Sequence, residues 1–267
     1  MRIFKVLFKI IIVLIPLNAL SAEPNNQELL IGISFSIPPY VIKERNDGLE
    51  LAILKRCLEA NGYKVLTSYL PLARTLLNFQ DGSIDGVINV RKGTVKGFYT
   101  DVVISFRNYA ISLEKNKIQI KSINDLSRRS IVAFQRASNF LEPTFGDVVR
   151  YNSEYREVAD QSLQVKQLFK HRVEVIVMEK QIFKYFRKQL FDRSVKLGKK
   201  FYFSPNEILQ TVVYHDIFKP SHYRFAFLSE RVRDDFNASL RDIISTGEYE
   251  KIMKQYDINL ELPTKQL

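Results

Sequence analysis

Two successive series of short apolar segments, each alternating with helical segments, constrain the fold of this chain more than any other feature. In the first series, apolar runs over Ile31–Ile37, Lys64–Tyr69 and Asp85–Val90 predict strands. Helical periodicity over Leu49–Asn61, and from Pro71 to about residue 81, separates these strands. A strand–helix–strand–helix–strand order is typical of parallel α/β units.

The second series has its own apolar positions. Its predicted strands are Tyr109–Leu113, Ser130–Phe134, Val148–Tyr151 and Val173–Met178, and its predicted helices are Ser162–Phe169 and Ile182–Leu190. A late strand at Tyr223–Leu228 precedes two C-terminal helices, Val232–Ile244 and Glu248–Tyr256. We therefore predict a bilobal α/β protein with a ligand cleft and a hinge between its lobes. Residues 23–112 and 223–267 would form lobe 1, and residues 113–222 would form lobe 2.

The first 22 residues have the layout of a secretory signal peptide. Arg2, Lys5 and Lys9 form a positively charged start, residues 10–17 are apolar, and small residues lead to Ala22. We expect cleavage near Ala22 and export of the mature chain to the periplasm. The apolar run is short for a membrane span, so an uncleaved anchor is the weaker interpretation.

Composition restricts how the chain is stabilised and what it binds. The sequence has 40 Lys and Arg against 29 Asp and Glu, and Cys57 is its one cysteine. One cysteine allows no internal disulfide, so stability must come from apolar cores, and Cys57 is expected to be buried. The basic residues are scattered, which favours a solvated surface over a nucleic-acid site; an anionic ligand or a membrane face is the secondary interpretation.

The first predicted strand ends at Pro38 and Pro39. Proline lacks the N–H that a strand ladder needs and fixes φ, so the pair stops the strand. Tyr40 then follows at the C-terminal end of the strand, where open α/β sheets place their ligands. Tyr40 is therefore predicted to form a wall of the cleft, and the alternative is a ring packed against a strand-ending turn.

Several short motifs follow one another across residues 28–257. They are Ile31-Gly32 through Pro38-Pro39-Tyr40, Gly48-Leu49-Glu50, Pro71-Leu72-Ala73-Arg74, Gly82-Ser83-Ile84-Asp85-Gly86, Phe98-Tyr99-Thr100-Asp101, Ile123-Asn124-Asp125-Leu126, His171-Arg172-Val173-Glu174 with Glu179, Phe236-Asn237-Ala238-Ser239-Leu240 and Gly247-Glu248-Tyr249. Each is weak alone, but their order and spacing resemble the extracytoplasmic solute-binding proteins of family 3, the amino-acid-type periplasmic receptors of ABC importers.

The resemblance implies a type II periplasmic-binding-protein fold with the ligand held between the lobes. It implies that an arginine clamps a ligand carboxylate, that backbone amides at a helix start bind an anion, and that a carboxylate pairs with the ligand's amine. The segment 91–96 departs from the family pattern, so two arginines remain candidates for the clamp. Carried over by position, the ligand-binding residues are Tyr40, Arg74, Arg91, Gln135, Arg136, Ser138 and Glu179.

The function implied is capture of a small polar ligand, an amino acid or related carboxylate, by a monomer that delivers it to an inner-membrane ABC permease. The three histidines and Cys57 form no metal-binding or nucleophile motif, so we predict no metal, no cofactor and no catalysis. Two alternatives remain open. One is an enzyme on the same scaffold, similar to cyclohexadienyl dehydratase, with Glu179 as its base; the other is a stand-alone ligand-sensing module.

Overall fold

The computed structural model describes residues 27–34 and 36–258. The strands within these residues are β1 (Glu28–Ile33), β2 (Lys64–Tyr69), β3 (Gly86–Val90), β4 (Phe98–Tyr99), β5 (Ile104–Phe106), β6 (Asn108–Leu113), β7 (Ile131–Phe134), β8 (Tyr155–Val158), β9 (Val175–Glu179), β10 (Val212–His215) and β11 (Ser221–Phe227). The helices are α1 (Leu49–Glu59), α2 (Leu72–Gln80), α3 (Ala137–Phe140), α4 (Pro143–Arg150), α5 (Ser162–Phe169), α6 (Lys180–Leu197), α7 (Pro205–Ile208), α8 (Glu230–Ser245) and α9 (Glu248–Gln255).

The first sheet has the strand order β2-β1-β3-β11-β4, and β5 also pairs with β11. Strand β1 is parallel to both β2 and β3, with Ile31 opposite Thr67 on one side and Gly86 on the other. Helices α1 and α2 connect these three strands, as parallel pairing requires a crossover. Strand β11 runs antiparallel to β3, so the chain returns to this sheet late in the sequence.

The second sheet has the strand order β10-β6-β9-β7-β8. Strand β7 is parallel to both β8 and β9, and β6 is antiparallel to β9 with Asn108 opposite Glu179. Every residue of the central strand β9 is buried. Burial on both faces explains why this strand is almost wholly apolar in sequence, without the alternation of a half-exposed strand. The mixed α/β architecture with two sheets confirms the predicted fold class.

Between residues 36 and 258 the chain crosses from one sheet to the other twice. It leaves the first sheet between Phe106 and Asn108, and it returns between His215 and Ser221. The lobe boundaries predicted from sequence, at residues 112/113 and 222/223, stay a prediction. Because β5 runs into β6 through a single residue, Arg107, the ends of the two sheets are held close together at this crossing.

Apolar packing is continuous from the first sheet to the second. One buried cluster includes Phe106 of β5 together with Met178 of β9 and Phe183 of α6. Cys57 of α1 belongs to the same cluster and is fully buried, and burial raises the pKa of its thiol to about 12. The thiol therefore stays protonated at neutral pH, which agrees with the expectation of a buried apolar side chain.

The segment around residues 148–151 was wrongly predicted to be a strand. In the structure it is the end of α4, which begins with Pro143 in its first turn and buries Phe145 and Val149 on one face. The strand of this region, β8, lies several residues further on. A short apolar run fits either element, and here the four-residue spacing of the two buried side chains decides for a helix.

Among the described residues, no helix is long and apolar enough to cross a bilayer. The predicted signal peptide, residues 1–22, lies outside the described residues.

Candidate ligand-binding cleft

A cleft of about 560 Å³ lies between the two sheets. Val90 at the end of β3, Phe134 at the end of β7 and Glu179 at the end of β9 all line it. These are the carboxyl ends of strands that run parallel to a neighbour, which is where open α/β sheets bind ligands. The cleft is therefore walled by both sheets, and its volume fits a small molecule.

Aromatic rings form much of the cleft wall. The rings that line it are Phe106, Phe134, Phe140, Tyr185, Phe186 and Tyr223. Phe106 packs against Tyr223 with their ring centroids 4.9 Å apart. Aromatic faces carry a negative quadrupole, so such walls accept an apolar body and also attract a cation.

Glu179 is the most buried charged side chain in the lining. It is 3% exposed and caps the start of α6, where its Oε2 accepts hydrogen bonds from the N–H groups of Gln181 at 2.6 Å and Ile182 at 2.9 Å. Burial raises its pKa to about 7, although the backbone donors act in the opposite direction. The side chain therefore combines a structural role with a carboxyl group that a nearby cation would ionise readily.

Asn89 connects the cleft to a second buried carboxyl group. Its Nδ2 donates to Oε1 of Glu50 at 2.9 Å, and Asn89 itself lines the cleft in a left-handed backbone conformation with φ of 56°. Glu50 is fully buried at the start of α1, and its Oε2 has no hydrogen-bond partner among the described residues. Burial raises the pKa of Glu50 to about 8, so the group is mostly protonated at neutral pH.

Tyr40 lies behind the cleft wall and not in it. Its ring is fully buried and packs against Phe106, with centroids 4.6 Å apart, and Phe106 forms the wall. The Tyr40 hydroxyl is directed toward Glu179 without completing a well-formed hydrogen bond. Pro38, two residues earlier in the same turn, lines the cleft instead.

Of the two arginines predicted to hold a carboxylate, only Arg91 lines the cleft. Its Nη2 donates to the backbone oxygen of Phe140 at 2.6 Å and lies 3.3 Å from both the Ser221 and the Tyr223 hydroxyl oxygens. Its guanidinium also lies over the Phe140 and Tyr223 rings. Arg91 thus joins the end of β3 to α3 across the cleft. Arg74, by contrast, is exposed on α2 and lies outside the lining.

The amides at the start of α3 are already hydrogen-bonded to the protein's own Glu157. Gln135 and Arg136 line the cleft, but the N–H groups of Arg136 and Ser138 donate to the two carboxylate oxygens of Glu157 at 2.6 and 3.0 Å. The Ser138 hydroxyl adds a third bond, at 2.8 Å. Ser138 does not itself line the cleft.

Solved structures with a similar fold identify the architecture. An ancestral arginine-binding protein bound to arginine aligns with a TM-score of 0.64 and 19% identity over 88% of this chain and 99% of that one. The GluR0 ligand-binding core in complex with L-glutamate aligns with a TM-score of 0.66 and 14% identity, over 87% and 99% of the two chains. This chain has the two-lobed periplasmic-binding-protein fold.

A third similar structure is an ancestral amino acid-binding protein described as a precursor of cyclohexadienyl dehydratase. It aligns with a TM-score of 0.63 and 17% identity over 86% of this chain and 94% of that one. No protein-family model and no curated protein sequence matches the chain. At these identities the likeness concerns the periplasmic-binding-protein fold alone, so the ligand has to be inferred from the cleft itself.

Sequence reasoning missed several groups that shape the cleft of this periplasmic-binding-protein fold. Asn89 and Asn108 carried no motif, although Asn89 lies next to the last residue of β3 and Asn108 is the first residue of β6, so each places a polar side chain near the edge of a sheet. Glu157 also carried no motif, because its role depends on the pairing of β7 with β8. Within the described residues, no group of three or more His, Cys, Asp and Glu side chains is arranged to hold a metal ion.

Proposed function

We propose that this protein is an exported, non-catalytic solute-binding protein that captures a small polar solute in the cleft between its sheets. The solute class is the amino acids and their close derivatives. Two of the structural neighbours bear bound arginine and bound L-glutamate, which supports this size and polarity of ligand.

The proposal rests on one observation, namely that both sheets contribute residues to the lining of the cleft. Arg91 and Phe106 come from strands of the first sheet or their ends, and Phe134 and Glu179 come from strands of the second. A solute that contacts both walls makes its full set of contacts only when the walls are close together. Binding therefore stabilises the closed arrangement by its differential affinity for the two states.

Within the cleft, we propose that the amine of the solute lies against Glu179 and its apolar body lies among the aromatic rings. Glu179 is buried and forms no ion pair with any described residue, so a ligand ammonium supplies the missing positive charge. The signal peptide predicted from the sequence agrees with this function, since the closed protein would deliver its solute to an inner-membrane ABC permease.

The test is a binding screen on the purified chain from residue 23 onward. Thermal unfolding would be followed with amino acids, their amines and organic acids, because a ligand specific for the folded state raises Tm. Each hit would be titrated by calorimetry and its effect on shape measured by small-angle scattering. Reversible binding with a smaller radius of gyration supports the proposal. A chain that binds none of these solutes would refute it.

One observation keeps an enzyme as a second candidate. The pKa of Glu179 lies near 7 in an aromatic cleft, which is the range of a general acid or base at neutral pH. The structural likeness to a dehydratase precursor supports the same candidate. Incubation with prephenate-like substrates separates the two, because turnover that is lost in Glu179→Gln would favour the enzyme, and tight binding without turnover would favour the solute-binding protein.

A further inference from the structure

Two backbone N–H groups at the start of α3, those of Arg136 and Ser138, form a cradle that already holds a carboxylate of the protein itself. Glu157 receives the N–H groups of Arg136 and Ser138, the Ser138 hydroxyl at 2.8 Å, and the Tyr155 hydroxyl at 2.7 Å. Partial burial raises the pKa of Glu157, but the bonds from Ser138, Tyr155 and Arg136 outweigh it and hold the pKa below its usual value. Glu157 is therefore a carboxylate that is itself bound as an anion.

The backbone is shaped around this internal carboxylate. Arg136 has a left-handed conformation with φ of 66°, which allows its N–H and that of Ser138 to converge on one side of the loop. Glu157 reaches them because β8 pairs in parallel with β7, with Ala133 opposite Glu157. A ligand carboxylate at the same amides would meet a fixed negative charge and would find the donors already engaged.

The basic side chains of the cleft lining do not replace that cradle. The Nη2 of Arg91 donates to the Phe140 carbonyl, and the Arg91 guanidinium lies over the Phe140 and Tyr223 rings. Arg136 also lies over the Phe140 ring, with its guanidinium carbon 5.3 Å from the ring centroid. No lysine is among the described residues that line the cleft.

The cleft lining contains more acidic than basic side chains. Glu179, Glu44 and Asp160 line it, and Glu50 lies behind Asn89. Neither buried carboxyl group, Glu179 or Glu50, forms an ion pair with a described residue. The lining thus carries three carboxyl groups against the two arginines Arg91 and Arg136, and with the aromatic walls it favours a cation over an anion, whereas Glu50 is mostly neutral at pH 7 and lies outside the lining.

We propose that Glu157 takes the place of a ligand carboxylate, and that the solute is a small organic amine without an α-carboxylate. This inference rests on the proposed function and narrows its solute class. The amine contacts Glu179 and the aromatic rings hold its body, while the Glu157 carboxylate makes the cradle repel the carboxylate of the parent amino acid.

The test compares matched pairs that differ only in the carboxylate. Agmatine with arginine, putrescine with ornithine, and phenethylamine with phenylalanine would be titrated by calorimetry into the chain from residue 23 onward. In at least one pair the amine should bind about 10-fold to 100-fold more tightly than the amino acid, the range of one charge-assisted hydrogen bond. This comparison needs no variant, so it stands whether or not a variant folds.

A variant then assigns the selectivity to Glu157. Glu157→Ala frees the amides of the cradle, so affinity for the amino acid should rise about 10-fold or more while affinity for the amine changes little. The matched control is Glu154→Ala, since Glu154 is exposed just before β8 and its side chain takes no part in the cradle. Both variants would first be checked for cooperative unfolding.

The outcomes separate this inference from the proposed function. Amino acids that bind the unmodified chain as tightly as their amines would overturn the inference and leave the solute-binding function standing. A chain that binds neither member of any pair would count against both. A Glu157→Ala chain that unfolds cooperatively and keeps the selectivity unchanged would overturn the role of Glu157.

Discussion

The buried Glu50, which accepts a hydrogen bond from the cleft residue Asn89, allows a sharp test of the electrostatics behind the cleft. Its folded pKa of about 8 lies well above the ordinary value of 4.5, so the folded state keeps the proton that the unfolded state loses. Stability from the neutral form is thus fully present below pH 4.5 and is lost as pH rises toward 8. At about 1.4 kcal/mol per pH unit, the loss is about 5 kcal/mol, as an upper limit.

The perturbation is Glu50→Gln, which removes the titration and keeps the Oε1 that accepts from Asn89. Wild type and variant should have similar free energies of unfolding at pH 5. At pH 9 the variant should be more stable by several kcal/mol, because the wild-type carboxylate is then charged, buried and without a cation. Urea unfolding at pH 5, 7 and 9, followed by circular dichroism, measures this difference.

A matched control and a clear refutation are available. Glu59→Gln changes an exposed glutamate at the last turn of the same helix and should leave the pH dependence unchanged. Burial also raises the pKa of Glu179, to about 7, but that group titrates in wild type and variant alike and largely cancels in their difference. If the free energies of unfolding of Glu50→Gln and wild type change in parallel from pH 5 to 9, then the description of Glu50 as a buried carboxyl group without a neighbouring cation is wrong.

Four further substitutions test the cleft, one of them as a control. Arg91→Ala should weaken binding of a solute hit about tenfold and increase the radius of gyration, because Arg91 bridges the cleft to Phe140. The control Arg74→Ala should change neither quantity, because Arg74 is exposed outside the cleft. Equal effects of the two substitutions in calorimetry would contradict this prediction. Glu179→Gln should weaken amine binding about 10-fold to 100-fold, and unchanged affinity would exclude Glu179 as the amine partner. Tyr40→Phe should leave Tm nearly unchanged, since the hydroxyl has no well-formed hydrogen bond, and a fall of many degrees would reveal one.

The architecture was predictable because its signals are local and repeated. Strands such as Val175–Glu179 are apolar almost throughout, and helices such as Leu49–Glu59 carry an apolar stripe and begin next to a glycine. Gly48 has φ of 128°, and a side chain there would overlap the backbone of Tyr40, so only glycine fits between the turn and α1. Each such signal agrees with its neighbours, and that agreement is what makes a fold readable from sequence.

Which side chains face the cleft was harder to predict than where the helices and strands lie along the chain. The sequence predicted a strand that ends at Pro38 with Tyr40 directly after it, whereas β1 ends at Ile33 and Tyr40 lies in the turn beyond. The sequence also contained no indication that Phe106 stands between Tyr40 and the cleft. The same limit applies to Arg74, because a helix start near the cleft presents both inward and outward faces. Leu72 of that helix lines the cleft and Arg74 does not, although the two residues are only two apart.

The anion cradle is the place where local sequence reasoning and tertiary structure diverge most. The loop at Gln135–Ser138 has the features of an anion site, and the structure does bind a carboxylate there, but the carboxylate belongs to Glu157. That partner lies about twenty residues away and reaches the loop only through the register of β7 and β8. Free backbone N–H groups in a loop therefore predict that an anion binds there. Whether that anion belongs to a ligand or to the protein depends on the side chains of the neighbouring strand. In this chain the protein supplies its own, and the amine specificity that we propose rests on Glu179, which lines the cleft without an ion pair to any described residue.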